Sequence, residues 1–137
     1  MKEKLRQQVQ SRASDLCEYC RLPQGSHPFP FGIDHIRPQF HHGPSIQENL
    51  ALACFDCNTI KGTNVGGYDP TGETTDLLPL FNPRTQTWSE HFEWNGSRLV
   101  GKTPIGRTTV DVLRINLPDR LELRRVLMRQ GSYPESR

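Results

Sequence analysis

The sequence predicts a small α+β domain, and three features of the chain lead to this fold class. Two Cys-x-x-Cys pairs frame a segment with two short apolar runs, which indicate strands. A pattern typical of an amphipathic helix precedes the first pair, and a hairpin signal with two helical patterns follows the second. We interpret residues 1–137 as one domain, with a core motif over 17–62 and a C-terminal hairpin with basic helices over 82–131.

The first half of the chain is expected to contain a helix, two strands and a second helix. Residues 2–16 place apolar side chains on one stripe at helical spacing, which predicts the first helix. Strands are predicted over 31–36 and 50–53. The second helix, over 55–61, is expected to end at Gly62, because glycine readily adopts the left-handed conformation that often follows a helix.

The second half begins with residues 63–80, whose glycine, threonine, aspartate and proline content predicts an ordered loop. Asn95-Gly96 is the strongest signal for a two-residue hairpin turn in the chain. Two helices are expected after it, one over roughly 106–116 and one starting near Pro118, since proline is favoured at the first position of a helix.

Composition bears on how the fold is stabilised and on where the protein works. Hydrophobic residues make up 34% of the chain, so its thin core is expected to need a covalent or metal staple. Residues 1–12 do not resemble a signal peptide, and no apolar run approaches the length of a membrane span. We therefore expect a cytoplasmic protein with no membrane partner, in which cysteines bind metal more often than they form disulfides.

Charge is distributed unevenly along the chain. Residues 98–130 carry eight basic and three acidic side chains, whereas residues 17–97 carry four basic and nine acidic ones. This pattern predicts that a polyanion contacts the C-terminal helices. A basic helix face that is simply hydrated is equally consistent with the charges.

The four cysteines form two pairs at the spacing of zinc knuckles: Cys17 with Cys20, and Cys54 with Cys57. Each pair can present two thiolates to one tetrahedral Zn²⁺. Two disulfides or a redox-active pair are the alternatives, and structural zinc is favoured over both. Four sulfur ligands leave no open coordination position, so this zinc is expected to stabilise the fold and not to catalyse.

Polar residues follow a distinctive order between and just after the cysteine pairs: Asp34-His35-Ile36-x-Pro38, then Asn49-Leu50, then Asn58-x-x-Lys61-Gly62. Together with the cysteines, this string resembles the HNH motif of the ββα-metal, or His-Me finger, nucleases. The resemblance implies a ββα-metal core and a metal-dependent endonuclease that leaves 5′-phosphate and 3′-hydroxyl ends. Asn58 stands where many members of the family have histidine, so the chain resembles an HNN variant.

The resemblance also implies a role for each polar residue of the motif. His35 would be the general base, and Asn49 would hold it in its working orientation through backbone hydrogen bonds. Asp34 and Asn58 would bind a catalytic Mg²⁺ or Mn²⁺, which suits their oxygen donors. Since consecutive side chains of a strand point to opposite faces, Asp34 and His35 can share one site only where the strand end bends.

Two basic residues of the motif region are candidates for contacting nucleic-acid phosphate: Arg37 and Lys61. Solvent exposure without such a contact is the alternative for Lys61. The loop after His35 reads His41-His42-Gly43, where relatives often carry paired glycines.

Nucleic acid, with double-stranded DNA favoured, is the partner expected from this motif. One HNH site cuts one strand, so a homodimer or a larger complex is compatible with cleavage of both strands. The competing interpretation is a non-enzymatic zinc module that binds nucleic acid or a protein.

Overall fold

The computed structural model describes residues 1–134. In this part of the chain there are five α-helices: α1 (Glu3–Arg12), α2 (Phe55–Lys61), α3 (Trp88–His91), α4 (Pro104–Val112) and α5 (Pro118–Arg129). Six short strands form three two-stranded antiparallel sheets: β1 (Gly32–His35) with β2 (Leu50–Ala53), β3 (Gly66–Gly67) with β4 (Leu78–Pro79), and β5 (Phe92–Asn95) with β6 (Arg98–Gly101). The predicted α+β class is confirmed.

The described chain divides into two compact units. The first unit comprises Met1–Val65 and Asn82–Thr85, and the second comprises Gly66–Phe81 and the residues from Gln86 onward. Each unit is described by itself below.

The first unit is built around strand β2, in which all four residues are buried. Strand β1 pairs with it so that His35 lies opposite Leu50 at the end of the ladder. Glu18 bonds both backbone groups of Leu52: the Glu18 N–H donates to the Leu52 carbonyl oxygen (2.8 Å), and the Leu52 N–H donates to Glu18 Oε2 (2.8 Å). The segment that carries the first cysteine pair is thereby fixed to the buried strand.

Helix α1 is shorter than the predicted span of 2–16. It ends at Arg12 because Ser14 and Asp15 both adopt left-handed backbone conformations, with φ of 51° and 59°. Leu16 then forms an isolated bridge with Pro23 instead of continuing the helix.

The hairpin of the second unit differs in its turn from the prediction. Asn95 stays in the ladder opposite Arg98, so Gly96 and Ser97 form the turn and not Asn95 and Gly96. Gly96 takes the positive φ, 59°, that a tight hairpin turn requires and that glycine adopts most easily. The predicted loop over 63–80 contains the short β3–β4 pair.

Helices α4 and α5 both begin at a proline, where a missing N–H costs no hydrogen bond. The Thr103 side chain caps α4 by accepting from the Gly106 N–H, at 3.0 Å. None of the helices within residues 1–134 combines the length and the apolar character needed to cross a lipid bilayer.

Candidate functional site

The sulfur atoms of the four cysteines meet in the interior of the first unit. All lie within 4.8 Å of one another, all four residues are buried, and none is in a disulfide. Four sulfurs about 2.3 Å from a tetrahedral Zn²⁺ would be separated by about 3.8 Å, and Cys20 Sγ lies 3.7 Å from Cys54 Sγ. The cluster therefore fits one structural zinc ion, and the disulfide alternative is excluded for these residues.

Each cysteine pair is held in the turn that a metal knuckle requires. The Cys20 N–H points at Cys17 Sγ (3.5 Å), and the Cys57 N–H points at Cys54 Sγ (3.4 Å). Burial raises the pKa of the Cys17 thiol well above its ordinary value, because a thiolate is costly in an apolar interior. A bound divalent cation offsets that cost, which is the chemistry that zinc would supply here.

Asp34 lies on strand β1 and is only 4% exposed. Its Oδ2 accepts a hydrogen bond from the Tyr19 hydroxyl (2.6 Å), and its Oδ1 accepts one from Lys61 Nζ (3.1 Å). Burial raises the pKa of the Asp34 carboxyl group, and the Lys61 ammonium opposes part of this shift. The carboxylate is held rigidly by one neutral and one charged donor.

Lys61 closes the C-terminal turn of helix α2 and is 1% exposed. Besides Asp34, its ammonium donates to two backbone carbonyl oxygens, those of His35 (3.1 Å) and Ile36 (3.2 Å). An ammonium has three donors, and all three are used. Two alternatives for Lys61 were drawn from the sequence, solvent exposure and an ammonium directed at phosphate. In the structure the side chain is neither exposed nor free to contact phosphate.

His35 is the last residue of strand β1, and it is partly exposed. Its Nε2 lies 2.8 Å from the Ser45 hydroxyl. Burial lowers the pKa of the imidazole below its ordinary value, while Asp34 opposes and Lys61 adds to the shift. The neutral form of His35, which can accept a proton, is favoured at neutral pH.

The loop after His35 is closed by the Asn49 side chain. Its Oδ1 accepts from the Arg37 N–H (2.8 Å), and its Nδ2 donates to the carbonyl oxygens of Arg37 and Pro44 (2.9 Å each). The Ile36 N–H also donates to the Asn49 carbonyl oxygen, at 2.8 Å. Gly43 lies so close to the Arg37 carbonyl that no β-carbon would fit there, so the loop depends on one asparagine and one glycine.

Asn58 lies on helix α2 immediately after Cys57, and its side chain rests against Gly32 of strand β1. The amide nitrogen occupies the space that a β-carbon on Gly32 would need. Gly32 and Asp34 are two residues apart in the strand, so both lie on the face that Asn58 approaches. The Asn58 side chain makes no hydrogen bond to any of residues 1–134.

The remaining predicted side chains around the site lie at the surface. Arg37 is exposed, and its guanidinium has no hydrogen-bond or ion-pair partner within the described chain. His41 Nε2 lies 3.0 Å from the Thr63 carbonyl oxygen. His42 is exposed and takes a left-handed conformation, φ 65°, at the end of a single turn of 3-10 helix.

Three contacts of the site were not anticipated from the sequence: Tyr19 with Asp34, Ser45 with His35, and Gly32 with Asn58. One signal for the first was available, because Tyr19 stands between two predicted zinc ligands, and a tyrosine buried there needs a partner for its hydroxyl. Ser45 and Gly32 belong to segments whose approach depends on the whole loop, and local sequence carries no signal for them.

Residues 17–64 match the family model described as HNH endonuclease. This segment is an HNH domain. The Septu protein PtuB of Bacillus thuringiensis is 31% identical over 118 residues, which is 85% of this chain and 42% of that protein. The chain thus spans less than half the length of this relative. No solved structure matches the chain significantly.

The HNH domain contains the whole cysteine cluster and all the polar site residues described above. Nucleases of this family act on nucleic acid and use a divalent metal ion. The predicted ligands Asp34 and Asn58 both offer hard oxygen atoms, and each Asp34 oxygen retains a lone pair beyond its present hydrogen bond. In the described residues no second group of three or more Cys, His, Asp or Glu side chains converges, so water and substrate would complete the coordination of such an ion.

Proposed function

We propose that this chain is a metal-dependent endonuclease that hydrolyses phosphodiester bonds, with double-stranded DNA as its substrate. The observation that carries the proposal is the placement of His35 in the HNH domain. Its imidazole is accessible, is favoured in the neutral form, and stands at the start of a loop fixed by Asn49.

In the proposed reaction, His35 accepts a proton from the attacking water, and the resulting hydroxide attacks phosphorus as the bond to the 3′ oxygen breaks. Ser45 and Asn49 hold the ring and the loop in place during this transfer. A Mg²⁺ or Mn²⁺ bound by Asp34 and Asn58 would neutralise phosphate charge and stabilise the leaving oxygen. Arg37, exposed next to this loop, is the candidate contact to the substrate backbone.

Nicking of supercoiled plasmid tests the proposal. We expect the purified chain to nick with Mg²⁺ or Mn²⁺ and to be inactive with neither. Replacing His35 by alanine should lower the rate by roughly 100-fold or more, the range that general bases contribute, while zinc content and melting temperature stay unchanged.

His27→Ala is the matched control, because His27 pairs with Asp56 and packs on Phe55 and has no part in the proposed chemistry. Equal nicking by the His35→Ala and wild-type chains would refute the assignment of the base. Binding of DNA without any cleavage would instead support the zinc-binding module considered from the sequence. Conversion of plasmid to linear form in one encounter would indicate two active sites, as in a homodimer.

A further inference from the structure

Residues 98–130 contain seven arginines. Arg107 pairs with Asp69 and Glu73, and the other six fall into three groups in the structure. Arg120 and Arg124 are buried and donate to backbone carbonyls, such as those of Leu113 (2.8 Å) and Ser97 (2.7 Å). A second pair, at positions 125 and 129, lies at the surface beside Glu122. Four of the eight basic side chains in residues 98–130 are therefore buried in the protein or paired within their own helix.

The third group is Arg98 and Arg114, which are both exposed. Within residues 1–134, neither guanidinium has a hydrogen-bond or ion-pair partner. Both border the same pocket of the second unit, whose volume is about 410 Å³. This volume lies in the range of pockets that bind small ligands or parts of larger ones.

The walls of this pocket, which we call the arginine pocket, combine fixed polar groups with apolar surface: Arg98, Arg107, Val110, Arg114, Asn116 and Leu117. Asp69 holds the Arg107 guanidinium through bonds of 2.8 to 3.2 Å, and Glu73 also pairs with it. Asn116 is bonded to both backbone groups of Leu99, at 2.8 and 3.0 Å. The walls are therefore fixed by contacts within the protein, and Arg98 and Arg114 are the wall arginines whose guanidiniums have no partner within residues 1–134.

The backbone of Arg114 gives an independent indication. Arg114 directly follows the C-cap of α4 and has φ of 50°, the left-handed conformation in which glycine is usual. An arginine there is less stable than a glycine would be. Strain kept at a surface position whose side chain borders a pocket points to a binding role.

We propose that the arginine pocket binds a phosphate group of the nucleic-acid strand, with Arg98 and Arg114 as the phosphate ligands. Val110 and Leu117 supply an apolar wall for the adjoining sugar. Asp111 also borders the pocket, and Asp69 and Glu73 pair with Arg107, so the attraction for a phosphate comes from direct contact with the two unpaired guanidiniums and not from an excess of positive charge. This inference rests on the proposed function for the identity of the ligand, but it concerns a surface outside the HNH domain.

The test uses the full chain carrying His35→Ala, so that the DNA is not cut. Its binding to a short fluorescein-labelled DNA duplex is measured by fluorescence anisotropy at salt concentrations between about 50 and 200 mM. The double variant Arg98→Gln/Arg114→Gln should weaken binding by roughly tenfold or more and reduce the salt slope by about 2. Arg125→Gln/Arg129→Gln removes the same charge from the surface pair beside Glu122 and should change affinity much less. Equal losses in both double variants would overturn the proposal.

Arg114→Gly separates binding from stability. The melting temperature should stay the same or rise, because glycine suits the left-handed position, while DNA affinity falls. Unchanged affinity in this folded variant would overturn the proposal.

Plasmid nicking measured in parallel keeps the two proposals distinguishable. If the wild-type chain nicks plasmid and the Arg98 and Arg114 changes do not affect binding, the arginine-pocket proposal is refuted and the nuclease proposal stands. Weaker binding in those variants, together with a wild-type chain that never nicks, supports the pocket and refutes the nuclease.

Discussion

Gly32 shows how a single residue without a side chain can decide the chemistry of a neighbour. Its missing β-carbon is the space in which the Asn58 amide lies. A methyl group at this position would meet the end of a flexible side chain and not backbone, so the fold should tolerate it. The amide, however, would have to move away from the strand face that carries Asp34.

We therefore expect Gly32→Ala to raise the Mg²⁺ concentration needed for half-maximal plasmid nicking by roughly tenfold or more, in line with the usual cost of disturbing groups that orient a metal ligand. Zinc content and melting temperature should change little. The matched control is the same change in an Asn58→Ala background, where no amide remains to be displaced. If Gly32→Ala is as harmful there as in the wild-type chain, it acts on the strand itself and not through Asn58.

At the scale of elements, Lys61 joins helix α2 to the end of strand β1. Its ammonium binds the Asp34 carboxylate and two carbonyl oxygens at the strand end, with 1% of the residue exposed. Removing one partner of a buried ion pair leaves the other charge without compensation. That loss typically costs about 3–5 kcal/mol.

Lys61→Met should accordingly lower the free energy of unfolding of the zinc-loaded chain by about 3 kcal/mol, measured by urea denaturation. Lys4→Met, on the exposed surface of α1, is the control and should cost little. Adding Asp34→Asn to Lys61→Met should recover part of the loss, because the unpaired charge is then gone. No recovery in the double variant would mean that the two carbonyl contacts, and not the ion pair, carry the stability.

The elements of the HNH domain could be predicted from sequence where local signals agree. Strand β2 and helix α2 have the predicted bounds, because an apolar run and a cysteine knuckle define them locally. The burial of Lys61 could not be predicted, since it depends on Asp34, which is 27 residues away. The predicted hairpin turn was misplaced by one residue, and the adjoining strand makes a contact that local sequence does not indicate: Asn116 bonds both backbone groups of Leu99.

At the scale of the whole molecule, the interpretation of residues 1–137 as one domain remains a prediction, and the path of the chain bears on it. The backbone passes between the two compact units after Val65, Phe81 and Thr85, so neither unit is a continuous stretch. Within the first unit, Arg84 of the returning segment pairs with Glu18. Within the second, the Phe81 N–H donates to Thr109 Oγ1 at 2.8 Å.

Zinc removal tests whether the units behave as one domain. Structural zinc contributes folding free energy directly, so Cys57→Ser should lose zinc and unfold the first unit. When the first unit unfolds, the segment Asn82–Thr85 loses its fixed position. The residues of the second unit on either side of this segment, Phe81 and Gln86, then lose an anchor. In the Cys57→Ser chain we expect the backbone amides of both β2 and β5 to lose their protection from hydrogen exchange. The control is Thr59→Ser, a change at an exposed position of the same helix, which should leave that protection unchanged. Protection retained in β5 alone would show that the second unit folds independently, and a zinc-free Cys57→Ser chain protected throughout would show that the metal is not structural.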